Sequence, residues 1–168
     1  MLTTERLRFR AWNETDVDLA AGLWGAPEVA RFISRDGTFD AAAVRERLLR
    51  EMALQDAHGV QYWPIFSRQD DAHVGCCGLH PYGTEAGVYE LGVHLRPAYW
   101  RKGLAVEAAS AVIAHAFDAL GARTLFAGHH PANTGSKQML LRLGFRYTHD
   151  ELYPPTGLMH PSYTLEAQ

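Results

Sequence analysis

Residues 7–12 (LRFRAW) alternate apolar and polar, the period of a first strand with one buried face. Thr15 and Asp16 then open a short helix toward Trp24, Pro27 opens another through Phe32, and Asp40 caps a longer one over about residues 41–57. In that longer helix Val44, Leu48 and Met52 share a stripe while Arg45, Arg47, Arg50 and Glu51 fall elsewhere. One face is therefore expected on a sheet and the other in water. Strands follow at residues 61–67, 73–79 and 88–95, separated by the turn signals Gln69-Asp70-Asp71 and Pro81-Tyr82-Gly83; such short links predict an antiparallel meander. A helix ending near Leu120, a strand at 124–129, a helix at 133–143 stopped by Gly144, and short strands at 145–149 and 162–165 complete the pattern. A block of strands followed by a strand-helix-strand-helix-strand half predicts an α/β (α+β) fold: a three-layer α/β/α sandwich around a mixed, mostly antiparallel sheet.

Composition narrows the picture. With 168 residues, 47% of them apolar, the chain fills one core, and a single domain over residues 1–168 is expected. A formal charge of -3 with scattered Lys and Arg gives no basic face for nucleic acid. No segment has the apolar length of a membrane span, and the charged start (MLTTERLRFRAW) lacks the core of a signal peptide. Cys76 and Cys77 are adjacent in a strand, where neighbours point to opposite faces and a disulfide between them would be badly strained, so a reduced, cytoplasmic setting is expected.

Local cations must then serve a local anion. Val106, Ala109, Ile113, Ala116, Phe117 and Leu120 recur at helical spacing around much of one helix, which predicts packing on more than one side and a first turn fixed by the core. Free amides and the aligned peptide dipoles at that end favour an anion. Gly103 lets a ligand approach the backbone, Arg101 and Lys102 add charge, and a phosphate is the natural guest. Neither GxxxxGK[ST] nor a strand-embedded GxGxxG is present, which leaves nucleoside triphosphate and dinucleotide readings without a motif.

The run Glu90-Leu91-Gly92-Val93-His94-Leu95-Arg96-Pro97-Ala98-Tyr99-Trp100-Arg101-Lys102-Gly103-Leu104-Ala105-Val106-Glu107-Ala108, followed by Pro131-Ala132-Asn133-Thr134-Gly135-Ser136 and by Leu143-Gly144-Phe145, resembles the GNAT superfamily of acetyl-CoA-dependent N-acetyltransferases. It is most similar to the branch of ribosomal-protein N-terminal acetyltransferases (RimJ/RimL-like), and the likeness runs through nearly the whole chain. The resemblance implies splayed central strands and a coenzyme A pyrophosphate held by amides of Trp100, Arg101, Lys102, Gly103, Leu104 and Ala105. It implies, too, a pantetheine arm paired with the strand edge at Val93, His94 and Leu95, contacts from Asn133, and a bulge in that strand. Trp100 departs from the Gln or Arg usual at the start of the loop.

Acetyl transfer to an amine needs a proton acceptor, a donor for the developing oxyanion and a proton for the leaving thiolate. An α-amine, with pKa about 7.7 to 8, asks little of the base, whereas lysine at about 10.4 must lose roughly three units. Glu90 is the candidate base, on the strand leading into the loop and on one face with Gly92, whose missing side chain is expected to leave room for substrate. Leu140 stands where many of the superfamily carry a tyrosine acid, and the resemblance assigns that role to Ser136, hydrogen-bonded to the sulfur. The Val93 amide is implied as oxyanion donor. His129 and His130 are read as part of a loop or acceptor pocket; no metal and no cysteine nucleophile is expected. Pro154-Pro155 before Gly157 reads as a turn bordering the acceptor cleft. The expected activity is acetyl transfer from acetyl-CoA to a primary amine, a protein N-terminus or a small molecule, in a ternary complex, by a monomer or homodimer without nucleic-acid or membrane partners. The alternative is a non-catalytic acetyl-CoA-binding sensor.

Overall fold

Two apolar layers, one on each side of a single sheet, organise the chain. The computed structural model describes residues 2–167. In chain order the elements are β1 (Leu7–Phe9), α1 (Val17–Trp24), α2 (Pro27–Ala30), α3 (Ala41–His58), β2 (Tyr62–Ser67), β3 (His73–Pro81), β4 (Val88–Leu95), α4 (Leu104–Asp118), β5 (Thr124–Gly128), α5 (Thr134–Arg142), β6 (Arg146–Tyr153) and β7 (Leu158–Glu166). The sheet order is β1-β2-β3-β4-β5-β7-β6, and only β4 and β5 run parallel, because α4 carries the chain back between them. On one face Leu79, Leu91, Leu95, Leu125 and Leu140 pack with Ala108, Ala109, Val112 and Ala116 of α4, whose small side chains bring the helix close to the sheet. On the other, Leu23 and Trp24 of α1 meet Val44 and Leu48 of α3 over Tyr62 and Cys76. Adjacent Cys76 and Cys77 fall in opposite layers, as strand parity requires. The mixed three-layer sandwich is the fold that the order of elements predicts.

The departures are local. β1 ends at Phe9, because Trp12 leaves the strand: its backbone N–H donates to Gln61 Oε1 (3.0 Å) and its indole to the Tyr62 carbonyl (2.7 Å). Asn13, not Thr15, caps the turn before α1; Asp16 accepts the Asn13 N–H and closes a two-pronged pair with Arg10 at 2.6 and 2.8 Å. β6 and β7 form a hairpin far longer than its sequence signal, since β6 is an edge strand exposed along nearly its whole length and has no alternation to read. No described helix is long and apolar enough to cross a membrane.

Burial works to raise the Asp16 carboxyl, but hydrogen bonds from Arg10 and Asn13 and the Arg10 charge hold it below its ordinary value. A depressed carboxyl stabilises fully above the unfolded pKa, near 4, and loses that contribution as pH falls through the depressed value. Asp16→Asn is therefore expected to cost about 1 kcal/mol in urea unfolding at pH 7. The gap from the parent protein should narrow as the pH is taken below about 4 and close once it has passed the depressed value, where both carry a neutral group.

A candidate active site where the sheet splays

Strands β4 and β5 pair at three positions only, Val88 with Thr124, Tyr89 with Leu125 and Glu90 with Phe126, and then diverge. Beyond that fork the five residues from Leu91 to Leu95, about 16 Å of strand, keep β3 on one side and have no strand on the other. Their alternation is fixed by β3: the Val88 carbonyl accepts from Tyr82 and the Arg96 N–H donates to Val74, so the even-numbered residues bond across that ladder. Main-chain groups of Leu91, Val93 and Leu95 consequently face the gap. The β3–β4 register is continuous, so the bulge implied by resemblance is missing and parity holds along β4. His94 thus turns its main chain to β3. Its ring Nδ1 accepts the Trp24 indole N–H at 3.2 Å, and burial together with the nearby charges of Arg47 and His80 holds the imidazole well below its ordinary pKa.

The loop after β4 is built around positive φ. Arg101 (φ 59°) and Gly103 (φ 75°) are both left-handed, and Gly103 caps α4 without a side-chain bond. Among the described residues, the N–H groups of Arg101, Lys102, Gly103, Leu104, Ala105 and Val106 have no backbone acceptor outside the helix, and the first α4 bond is Glu107 to Gly103. The loop is held from outside by contacts that the sequence motif did not reveal. Arg6 Nε donates to Glu107 Oε2 (2.6 Å), the Arg6 N–H to Oε1 (2.9 Å) and Arg6 Nη1 to the Lys102 carbonyl (3.0 Å), while Thr4 donates to Oε1 (2.5 Å). The Trp100 amide, expected at the pyrophosphate, donates to the Pro97 carbonyl at 3.2 Å and is not free, and its indole N–H returns to the Leu95 carbonyl at 2.8 Å, tying the loop's entrance to the open edge. A surface groove of about 590 Å³ beside Arg6 and Arg68 borders the anion loop at Lys102 and Leu104 and includes no residue of the Glu90 face.

Glu90 stands at the fork itself, opposite His80 on β3 and Phe126 on β5. Burial raises its carboxyl above the ordinary range against the pull of His80, Arg47 and Arg50. The space expected over Gly92 is not open to substrate: a Cβ there would lie 2.2 Å from Tyr62 Cζ, because the phenol covers this stretch of β4. Tyr62 in turn lies flat on His80, with centroids 3.7 Å apart and an interplanar angle of 3°, and His80 Nε2–H donates to both oxygens of Glu51 at 2.9 and 3.0 Å. Glu51 also accepts the Tyr62 N–H at 2.8 Å. The expectation that Glu51 lies on the wet side of α3 is overturned: it is 1% exposed, and Arg47 is half-buried beside it. Position supplied the missing signal, since 44, 48 and 51 repeat at helical spacing and the carboxylate interrupts an inward stripe.

At the other arm of the gap, Asn133 caps α5 by accepting the Ser136 N–H at 3.1 Å. Ser136 lies one turn before Leu140, which is buried in the α4-side core, so the serine continues the inward face; its hydroxyl makes no hydrogen bond among the described residues. His129 Nδ1–H donates to the His130 carbonyl (2.8 Å), leaving Nε2 to accept from Tyr163 (3.3 Å), while His130 packs on Phe32 and His160. His160 takes a 2.8 Å bond with Thr156, and its pKa is lowered to about 4 by burial and the two neighbouring imidazoles. The turn at Gly157 meets Arg35, which joins the β6–β7 hairpin to the segment after α2.

Comparison with known proteins gives the same outline. The family model of the Acetyltransferase (GNAT) domain matches residues 6–146. The uncharacterized N-acetyltransferase p20 of Bacillus licheniformis is 29% identical over 147 residues, 86% of this chain and 82% of that protein. A GNAT-family acetyltransferase from Bacillus anthracis superposes with a TM-score of 0.83 at 23% identity over 98% of this chain and 97% of its own. RimL, a ribosomal L7/L12 α-N-protein acetyltransferase solved with coenzyme A, superposes with 0.82 at 13% identity over 98% and 96% of the two chains.

The packing over Gly92 generates a direct test. Gly92→Ala forces its methyl into the Tyr62 ring and is expected to cost about 2 kcal/mol in denaturant unfolding, and combining it with Tyr62→Leu, which withdraws the ring atoms, should recover most of that loss.

Proposed function

Because the chain belongs to the GNAT acetyltransferase family, we propose that it transfers the acetyl group of acetyl-CoA to a primary amine by direct attack in a ternary complex, its 168 residues acting as one acyltransferase domain. The observation that carries the reading is the junction of two features. A run of free amides from Arg101 to Val106 opens at one end of an unpaired strand edge, and a half-buried carboxylate with a raised pKa stands at the other. The left-handed loop and the amino end of α4 fit a diphosphate, with Arg101 and Lys102 adding charge. Val93 offers its N–H and carbonyl and Leu95 its N–H to an extended amide-bearing arm, and Asn133, whose Oδ1 caps α5, keeps its Nδ2 free. His94 contributes packing in this scheme, not a main-chain bond.

Acetyl-CoA supplies an activated thioester. The protein must then take a proton from the amine, steady the negative charge that develops on the carbonyl oxygen, and give a proton to the departing sulfur. Glu90 takes the first role: burial lifts its proton affinity toward that of an amine, and His80, fixed by Glu51, holds the neighbouring position on the same face. The gap-facing Val93 N–H is the donor to the oxyanion. The Ser136 hydroxyl, without a protein partner, attends the sulfur; with a thiol pKa near 8.5 the leaving group asks little of it.

If Glu90 is the base, kcat/KM falls in acid through a pKa above the usual carboxylate value near 4. Glu90→Gln should lower kcat by about 100-fold or more and remove that limb while leaving the KM for acetyl-CoA close to its starting value; an unaltered pH profile would take Glu90 out of the role. Gly103→Val places a branched side chain at positive φ in the anion loop and is expected to raise the KM for acetyl-CoA about tenfold, with the acceptor KM little changed.

A further inference from the structure

Most inward-facing ions of this protein have partners. Glu51 is held by His80, Arg10 by Asp16, and Arg96 donates to His73 and the Leu19 carbonyl. Besides the Glu90 carboxyl, Arg47 is the exception among the described residues. It projects from α3 between Val44 and Glu51, its guanidinium carbon 4.9 Å from the Trp24 ring centroid and 5.9 Å from that of Phe39. Its Nε is buried and donates to nothing, and among the described residues no carboxylate lies within 4.0 Å of the group. Aromatic faces hold a guanidinium in place but leave its planar fork of donors unspent. The Nε–H, cut off from water and without an acceptor, is costly unless a ligand meets it.

The neighbouring carboxylates do not meet it. Glu51 is occupied by His80 and the Tyr62 N–H. Trp24, on whose ring Arg47 lies, donates its indole N–H to the His94 ring of β4, and Tyr62 meets the same imidazole edge-on, which brings the guanidinium to the face of β4 that bears Glu90 without an ion pair between the two. Of the other acids, Glu151, whose charge reaches Glu90, accepts from the Tyr82 hydroxyl at 2.9 Å. Asp40 is spent as the cap of α3, and Glu85 pairs with Arg123 at the opposite end of β4.

Building on the acetyltransferase reading, we propose that the acceptor carries a carboxylate as well as an amine: Arg47 grips the carboxylate through its unspent fork while Glu90 receives the amine's proton. An amino acid, or a peptide with an acidic residue beside its terminal amine, has this chemistry; a polyamine or aminoglycoside has not. A bidentate guanidinium–carboxylate pair is geometrically specific, so lysine would replace it only in part.

The experiment measures coenzyme A release from acetyl-CoA with free amino acids, the matching amino-acid amides, the decarboxylated amines, and short peptides with or without an acidic second residue. Carboxylate-bearing acceptors should have the higher kcat/KM, the two arms distinguishing a free amino acid from an acidic peptide. Arg47→Gln should raise their KM about tenfold to a hundredfold, far more than that of their amides, while Arg47→Lys restores part of the loss and both variants keep the urea midpoint of the parent. Equal use of amides and acids, or an Arg47→Gln loss that falls on all acceptors alike, overturns the carboxylate assignment and leaves the acetyltransferase standing. If no amine is acetylated, that reading fails by itself, and calorimetric titration of the same amino acids in the presence of coenzyme A then judges Arg47: binding that Arg47→Gln abolishes upholds the proposal, and absent or Arg47-independent binding overturns it.

Discussion

The limit of three residue pairs between β4 and β5 is the constraint on which the rest of this structure depends. A parallel pair that continued would satisfy every main-chain group of β4 and leave a closed sheet. By stopping at Glu90 it leaves one edge of a buried strand open in the middle of the molecule, where unpaired amides and carbonyls are costly unless a ligand or water meets them. Everything that lines the gap accommodates that opening. Trp100 satisfies the Leu95 carbonyl, α5 supplies the far wall, and α4 presents its amino end at the mouth.

Polar groups on the other face are arranged in order of commitment. Glu51, His80 and Tyr62 form a closed set in which each member is bonded to or stacked on another, and such a set gives rigidity to the floor beneath Glu90. Glu90 and Arg47 are left out of it. Half-buried ionisable groups that a protein leaves uncommitted are those it can offer to something else, and here the two have opposite charge. Substrate-directed chemistry and structural polar packing are thus separable in this cleft by whether a side chain already has a partner.

Much of this is legible in the order of residues alone. The alternation of strands and helices sets the layers, Gly103 with its flanking cations marks the anion loop, and Glu90 precedes it at readable spacing. What escapes has physical causes. The Glu51–His80 pair joins residues 29 positions apart through a fold, not a motif, and a carboxylate inside an apolar stripe reads as noise until its partner is seen. Gly92 suggests vacancy because a glycine reveals that something is near without saying whether it is ligand or protein; the occupant is Tyr62. The β6–β7 hairpin leaves little trace because an edge strand surrounded by water needs no hydrophobic period.

The brace between Arg6 and Glu107 has a consequence in the order of synthesis. Its two halves are separated by 101 residues of chain, so the segment bearing Thr4 and Arg6 leaves the ribosome long before the helix end it fastens. At typical elongation rates of about 5–20 residues per second the strap waits several seconds for its buckle. A nascent chain therefore cannot offer a finished phosphate cradle until nearly two thirds of its length has been translated.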